Sequence, residues 1–235
     1  RNCETKHLGI ESSSSRGDKM SHFDAVIFDM DGVIVDSEPI HELSFLQLWR
    51  EMGHGENHGI QFSEFYGISD RAVWESFIDK HQPIQSIEEL TVLKEDRVIQ
   101  LLRDKQPVFD GIPNLVQRLV KCLPLAIASG SVHRIIDEVL TMHDLRRYFC
   151  CTASSEDVPN SKPEPDVFLL AAKRLGVARN KCCVIEDTVT GVLAGKAAGM
   201  TVLGITNTFD AETLAQAGAD QVFEDYLSIG DTILK

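Results

Sequence analysis

The sequence of 235 residues contains no apolar run near the roughly 20 residues that cross a bilayer as a helix, so a membrane span is not expected. Positive charge is also scarce. Lys and Arg total 23 against 36 Asp and Glu, for a net charge of −13. Nucleic acid and anionic lipid both require a positive face, so neither is an expected partner. A small anionic substrate is not excluded, because a local cluster of cations outweighs the global field. No internal repeat is present. None of the six cysteines forms the C-x2-C pair of a zinc site. Cys150-Cys151 and Cys182-Cys183 are direct neighbours, a poor geometry for bridging each other. Reduced, buried thiols in a cytoplasmic protein are therefore expected. Residues 1–21 lack the apolar core of a signal peptide. Polar, Ser-rich and without period, they read as a disordered tail, with Met20 a candidate start.

What is present is an ordinary globular composition, 43% hydrophobic and 25% charged. The length suits one large domain, or a domain with a smaller second one. From residue 104 onward, short apolar runs alternate with helical patterns. Strands are expected at 123–129, 148–154, 182–187, 201–206 and 220–223. Helices are expected at 132–142, 167–175 (capped by Asp166 and stopped by Gly176), 190–198 and 211–217. Continuous apolar strands in β-α alternation imply a parallel sheet covered on both faces. The expected fold is α/β, a Rossmann-like doubly wound parallel sheet. The stretch 37–103 breaks the alternation. It carries helical patterns at 39–52, 63–66, 70–81 and 87–103 and no strand-like run. An all-helical cap over 37–103 is therefore expected, inserted into a core made of 22–36 and 104–235.

The first strand, 25–28, runs straight into two carboxylates, Asp29 and Asp31. Like charges that close repel, and burial of either one unpaired is costly. In an open parallel sheet the ligand crevice lies beyond the carboxyl ends of the strands. Polar residues at those ends are Asp29 and Asp31, Ser129 in ASGS, and Glu186 and Asp187 in VIEDT. Lys162 lies between them, on a loop stiffened by Pro163 and Pro165. Four acids and one lysine make an oxygen-rich nest for a hard cation, and Mg²⁺ favours few carboxylates plus a substrate phosphate. A phosphate clamped by Ser129 and Lys162 would complete the neutralisation. Asp29 is the candidate nucleophile toward phosphorus, and Asp31 the candidate acid and base.

These residues resemble the haloacid dehalogenase-like superfamily. DMDGVIVD is similar to its first motif, with Ser129, Lys162 in SKPEPD, and Glu186-Asp187 as the second, third and fourth. The resemblance covers nearly everything from Phe23 onward. It implies Mg²⁺ held by Asp29, the backbone carbonyl of Asp31, and Asp187, with Glu186 close by as ligand or orienting acid. Asp31 places the chain nearer the phosphotransferase branch than the dehalogenases. The helical insertion is similar to that of the β-phosphoglucomutase and sugar-phosphatase group. By that likeness His41, Arg71 and Lys94 are candidate substrate-binding residues of the cap, with His41 placed to steer Asp31.

Plainer roles compete at several positions. Asp36 braces the turn. Ser37 is the N-cap of the first cap helix, with Pro39 in its first turn. Thr188 and Thr190 cap the helix that follows them. Trp49, Trp74 and Phe77 are cap core. Arg71 and Lys94 also read as solvated helix charges. The leading expectation is a Mg²⁺-dependent phosphatase for a small phosphorylated metabolite, a sugar or polyol phosphate, acting as a monomer. A β-phosphoglucomutase-type mutase and a non-catalytic phospho-aspartate switch are the alternatives. The switch proteins lack a helical cap.

Overall fold

The computed structural model describes residues 22–65 and 70–235. The expectation of a disordered tail over 1–21 lies outside them. Six strands, β1 (Ala25–Phe28), β2 (Leu125–Ala128), β3 (Cys151–Ala153), β4 (Cys182–Glu186), β5 (Thr201–Ile205) and β6 (Gln221–Phe223), form one sheet in the order β3-β2-β1-β4-β5-β6. Every pairing is parallel, with Val26 opposite Leu125 on one side and Cys183 on the other. This is the doubly wound order, and the crevice falls where it reverses, at β1.

Alternate side chains of a strand face opposite layers. Val26 and Phe28 enter one apolar cluster, with Ile112, Leu115, Ile136 and Leu140. Ala25 and Ile27 enter the other, with Phe168, Ala171 and Val192. Helices α4 (Ile112–Leu119), α5 (His133–Thr141), α6 (Asp166–Leu175), α7 (Val189–Ala197), α8 (Ala211–Gln216) and α9 (Tyr226–Ile233) cover the sheet.

Helices α1 (Glu38–Glu51), α2 (Asp70–His81) and α3 (Ile87–Lys105) fill the interval between β1 and α4. They have an apolar cluster of their own, built on Phe45, Leu48, Trp49, Val73, Trp74, Phe77 and Leu90. Trp49 and Phe77 stack with ring centroids 5.2 Å apart. The chain enters and leaves this layer side by side. Asp36 N donates to Pro107 O at 2.9 Å, and Phe109 N donates to Ile34 O at 3.1 Å. Among the described residues no helix is long and apolar enough to cross a membrane.

Several expectations are corrected. Asp166 does not cap α6; it lies inside the helix, and its carboxylate accepts from Asn160 Nδ2 at 2.9 Å. Ser37 occupies the N-cap position of α1, but its hydroxyl makes no capping bond there. The helical pattern at 63–66 is a 3-10 turn over Phe62–Glu64, and residue 66 lies outside the described residues. The strand at 148–154 shortens to Cys151–Ala153, because a 3-10 run, Met142–Tyr148, precedes it with His143 and Asp144 in left-handed conformations. Helices α4 and α9 were not anticipated. Thr188 does cap its helix, accepting from Gly191 N.

Candidate active site

The turn after β1 folds on itself. Met30 O accepts from the amides of Val33, Ile34 and Val35, and Gly32 takes a φ of +77°. A Cβ at Gly32 would also run into the carboxyl group of Asp187, so glycine serves both the turn and the close approach of β4's end. The turn delivers Asp29 to the bottom of a cavity of about 300 Å³, with Asp31 on its wall.

Lys162 reaches the same point from the loop before α6. Its Nζ donates to Asp29 Oδ1 at 2.6 Å and to Glu186 Oε1 at 2.7 Å. Burial alone would lower the Lys162 pKa, but the carboxylates of Asp29 and Glu186 outweigh it and hold the ammonium charged. Burial pushes the Asp29 pKa up to about 7, against the pull of Lys162 and with the help of Glu186 and Asp31.

Asp31 has the opposite balance. Burial raises its pKa, but hydrogen bonds and charge from His41, Ser37 and Ser131 hold the carboxyl well below the usual carboxylate range. Its two oxygens face different ways. Oδ1 accepts from Ser37 Oγ at 2.7 Å and lies 3.6 Å from His41 Nε2, both on the cap side. Oδ2 accepts from Ser129 Oγ at 3.2 Å and Ser131 Oγ at 2.8 Å, both following β2.

Beneath them, Glu186 is fully engaged. Oε2 accepts from the amides of Asp187 and Thr188, each at 2.8 Å, and from Thr188 Oγ1 at 3.0 Å, while Oε1 holds Lys162. A Cβ at Gly191 would occupy the space of that carboxyl group. Asp187 is different. Its Oδ2 accepts from Thr208 Oγ1 at 2.5 Å, but Oδ1 is buried with no hydrogen-bond partner among the described residues. Burial beside Glu186 and Asp29 raises its pKa well above the ordinary value. Ligand oxygens of Asp29, Glu186 and Asp187 all lie within 4.8 Å of one another. A buried carboxylate oxygen without a donor, in a nest of three acids and one lysine, fits a hard divalent cation.

The cap residues divide. His41 lines the cavity. Lys94 is buried and does not line it; its Nζ donates to Asp70 Oδ2 at 2.5 Å and contacts His41 Nδ1. Arg71 lies on the exposed face of α2, pairing with Glu75 at 2.9 Å, and is not brought to the cavity. The sequence reading missed Ser131, Thr208, and the cap acids Glu38, Glu42 and Asp70 that line the cavity with Phe45, Phe62 and Phe65. Ser131 stands in the same ASGS segment as Ser129. Thr208 follows the end of β5, where the strand-end rule applies as well.

An acid nest at the reversal point of a doubly wound sheet, roofed by an inserted helical layer, defines an enzyme. Residues 23–199 match the haloacid dehalogenase-like hydrolase family, and the chain belongs to it. It is 34% identical over 179 residues, 75% of this chain and 80% of the relative, to hexitol phosphatase B of Escherichia coli (strain K12). It is 32% identical over 189 residues, 77% of this chain and 95% of the relative, to a fructose-1-phosphate phosphatase of the same organism. A crystal structure of a β-phosphoglucomutase from Clostridium difficile shares the fold, with a TM-score of 0.73 over 88% of this chain and 93% of that one at 23% identity.

Proposed function

We propose that this chain is a phosphatase hydrolysing a small phosphorylated metabolite, a sugar or polyol phosphate, through a phosphorylated Asp29. The observation that carries the proposal is the contact of Lys162 with both Asp29 and Glu186 beside the unpartnered Oδ1 of Asp187. Asp29 and Lys162 line the cavity, and the cation-ready acid Asp187 lies buried against Asp29 behind them. The two phosphatases of E. coli support the substrate class.

Asp31 stands ionised before substrate arrives, so it first takes a proton from the singly protonated phosphate ester. Asp29 then attacks phosphorus, and the bond to the leaving alcohol breaks while Asp31 passes that proton to its oxygen. Water then attacks the phosphoryl group on Asp29, losing its proton to Asp31. Inorganic phosphate leaves and both carboxyl groups return to their starting state. Lys162 offsets charge on the phosphoryl oxygens throughout. Ser129, whose hydroxyl donates to Asp31, would turn that proton to a phosphoryl oxygen when substrate binds. Asp29, the backbone carbonyl of Asp31, and Asp187 would hold Mg²⁺, which supplies further positive charge at the phosphoryl oxygens. Glu186 keeps Lys162 and the Asp187 backbone in position.

Phosphate release in the presence of Mg²⁺ over phosphorylated sugars, polyols, nucleotides and glycolate tests the proposal. Turnover of sugar or polyol phosphates, lost in Asp29→Asn, is expected. No release from any of them would defeat it.

A further inference from the structure

The cavity sets Lys162 beside Asp29 at its phosphate end, and acids with a histidine, His41, on the cap side. Lys162 is the one lysine among the described lining residues, and no arginine joins it. The cap side presents Glu38, Glu42 and Asp70, with apolar walls from Phe45, Phe62, Phe65 and Val73.

Lys94 and Arg71, the two cations expected at the cap end, are both engaged elsewhere. The Lys94 side chain is 1% exposed and locked between Asp70 and His41. Arg71 points outward to Glu75, with 64% of its side chain exposed.

Building on the phosphatase reading, we infer that the cap selects phosphomonoesters whose alcohol part carries no second anionic group, and that Glu42 and the Asp70–Lys94 pair set this selection. A second phosphate or a carboxylate at the cap end would face carboxylates, and like charges so placed are strongly disfavoured. Ionised carboxylates only accept hydrogen bonds, so they suit the hydroxyl donors of a sugar or polyol. The same geometry weighs against the mutase alternative, whose intermediate carries two phosphates.

Binding of a hexose monophosphate and of the matching bisphosphate is measured by calorimetry in Asp29→Asn, and kcat/KM for both is measured in the unaltered enzyme with Mg²⁺. The monophosphate is expected to bind tighter by about tenfold or more, with kcat/KM following. Glu42→Gln and Asp70→Asn, each combined with Asp29→Asn, are expected to narrow the ratio by improving the bisphosphate, the second by releasing Lys94. Equal or tighter binding of the bisphosphate, binding of neither compound, or a ratio unmoved in both variants overturns the inference. Absence of phosphate release from these substrates and from an aryl phosphate, with the binding ratio intact, removes the phosphatase reading and leaves the selectivity standing.

Discussion

His41 Nε2 lies 3.6 Å from Asp31 Oδ1, a contact that reaches from the first turns of α1 to the loop leaving β1. The other ring nitrogen of His41 meets Lys94, and Lys94 meets Asp70. The ring is therefore fixed from behind by a buried ammonium while it faces the carboxylate assigned the proton.

Asp31→Asn is expected to lower kcat by about 10²–10⁴-fold, the range of acid–base catalysis. His41→Asn is expected to lower it by less, with KM little changed in either case. Steady-state kinetics decide this, and an undiminished kcat in Asp31→Asn would remove it from proton transfer.

Asp29→Asn should abolish turnover without weakening the fold, because burial makes the ionised carboxylate costly. The sign is as follows. A folded pKa of about 7 lies above the ordinary carboxylate value. The folded state then binds more protons than the unfolded state between the two values, so stability rises as pH falls from about 7 toward about 4. Thermal unfolding in chelator should show that rise, and Asp29→Asn should make it shallower, with Asp187, whose pKa is raised as well, supplying the remainder. A parallel pH dependence in both proteins would contradict the assignment.

Chelation should abolish activity, and Mg²⁺ should restore it. Ligand binding to the folded state alone raises Tm. Added Mg²⁺ is therefore expected to raise the Tm of the chelated protein, and to do so much less in Asp187→Asn. An equal rise in that variant would place the ion elsewhere.

Outside the cavity lining, Asp157 accepts from Arg174 Nη1 at 2.8 Å and from Ser154 N at 3.0 Å. The Arg174 hydrogen bond outweighs burial, and with Ser154 and His133 it holds the carboxyl below its ordinary range. A depressed pKa stabilises the fold at pH values above the unfolded value, and that contribution is lost as pH falls below about 4. Asp157→Asn should lower Tm at neutral pH, with the difference shrinking in acid. A constant difference across that range would show that charge is not the cause.

The sheet was legible because β1, β2 and β4 are continuous apolar runs ended by polar residues, and strand ends gather at one edge whatever the loops do. Asp29, Asp31, Ser129, Glu186 and Asp187 were found that way, and Lys162 from the proline-stiffened loop between them; the structure brings these six side chains together. Helix α4 was hidden by Pro113, which reads as a breaker but sits in the first turn, where its missing N–H costs nothing. Helix α9 was hidden by Gly230, whose absent side chain leaves room for α4. A Cβ there would lie 3.0 Å from Arg118 Nη1 and 3.1 Å from Leu115 Cδ1. Cap charges were the least legible. One residue of helix register separates Asp70, which lines the cavity, from Arg71, which faces solvent, and only the docking of α2 on its neighbours sets that register.

The divided carboxyl group of Asp31 has a mechanical consequence. One oxygen is tied to Ser37 and His41, the other to Ser129 and Ser131, so this single side chain is a rivet through the seam between roof and floor. Separating the two layers at this point would cost the hydrogen bond from Ser37 or those from Ser129 and Ser131.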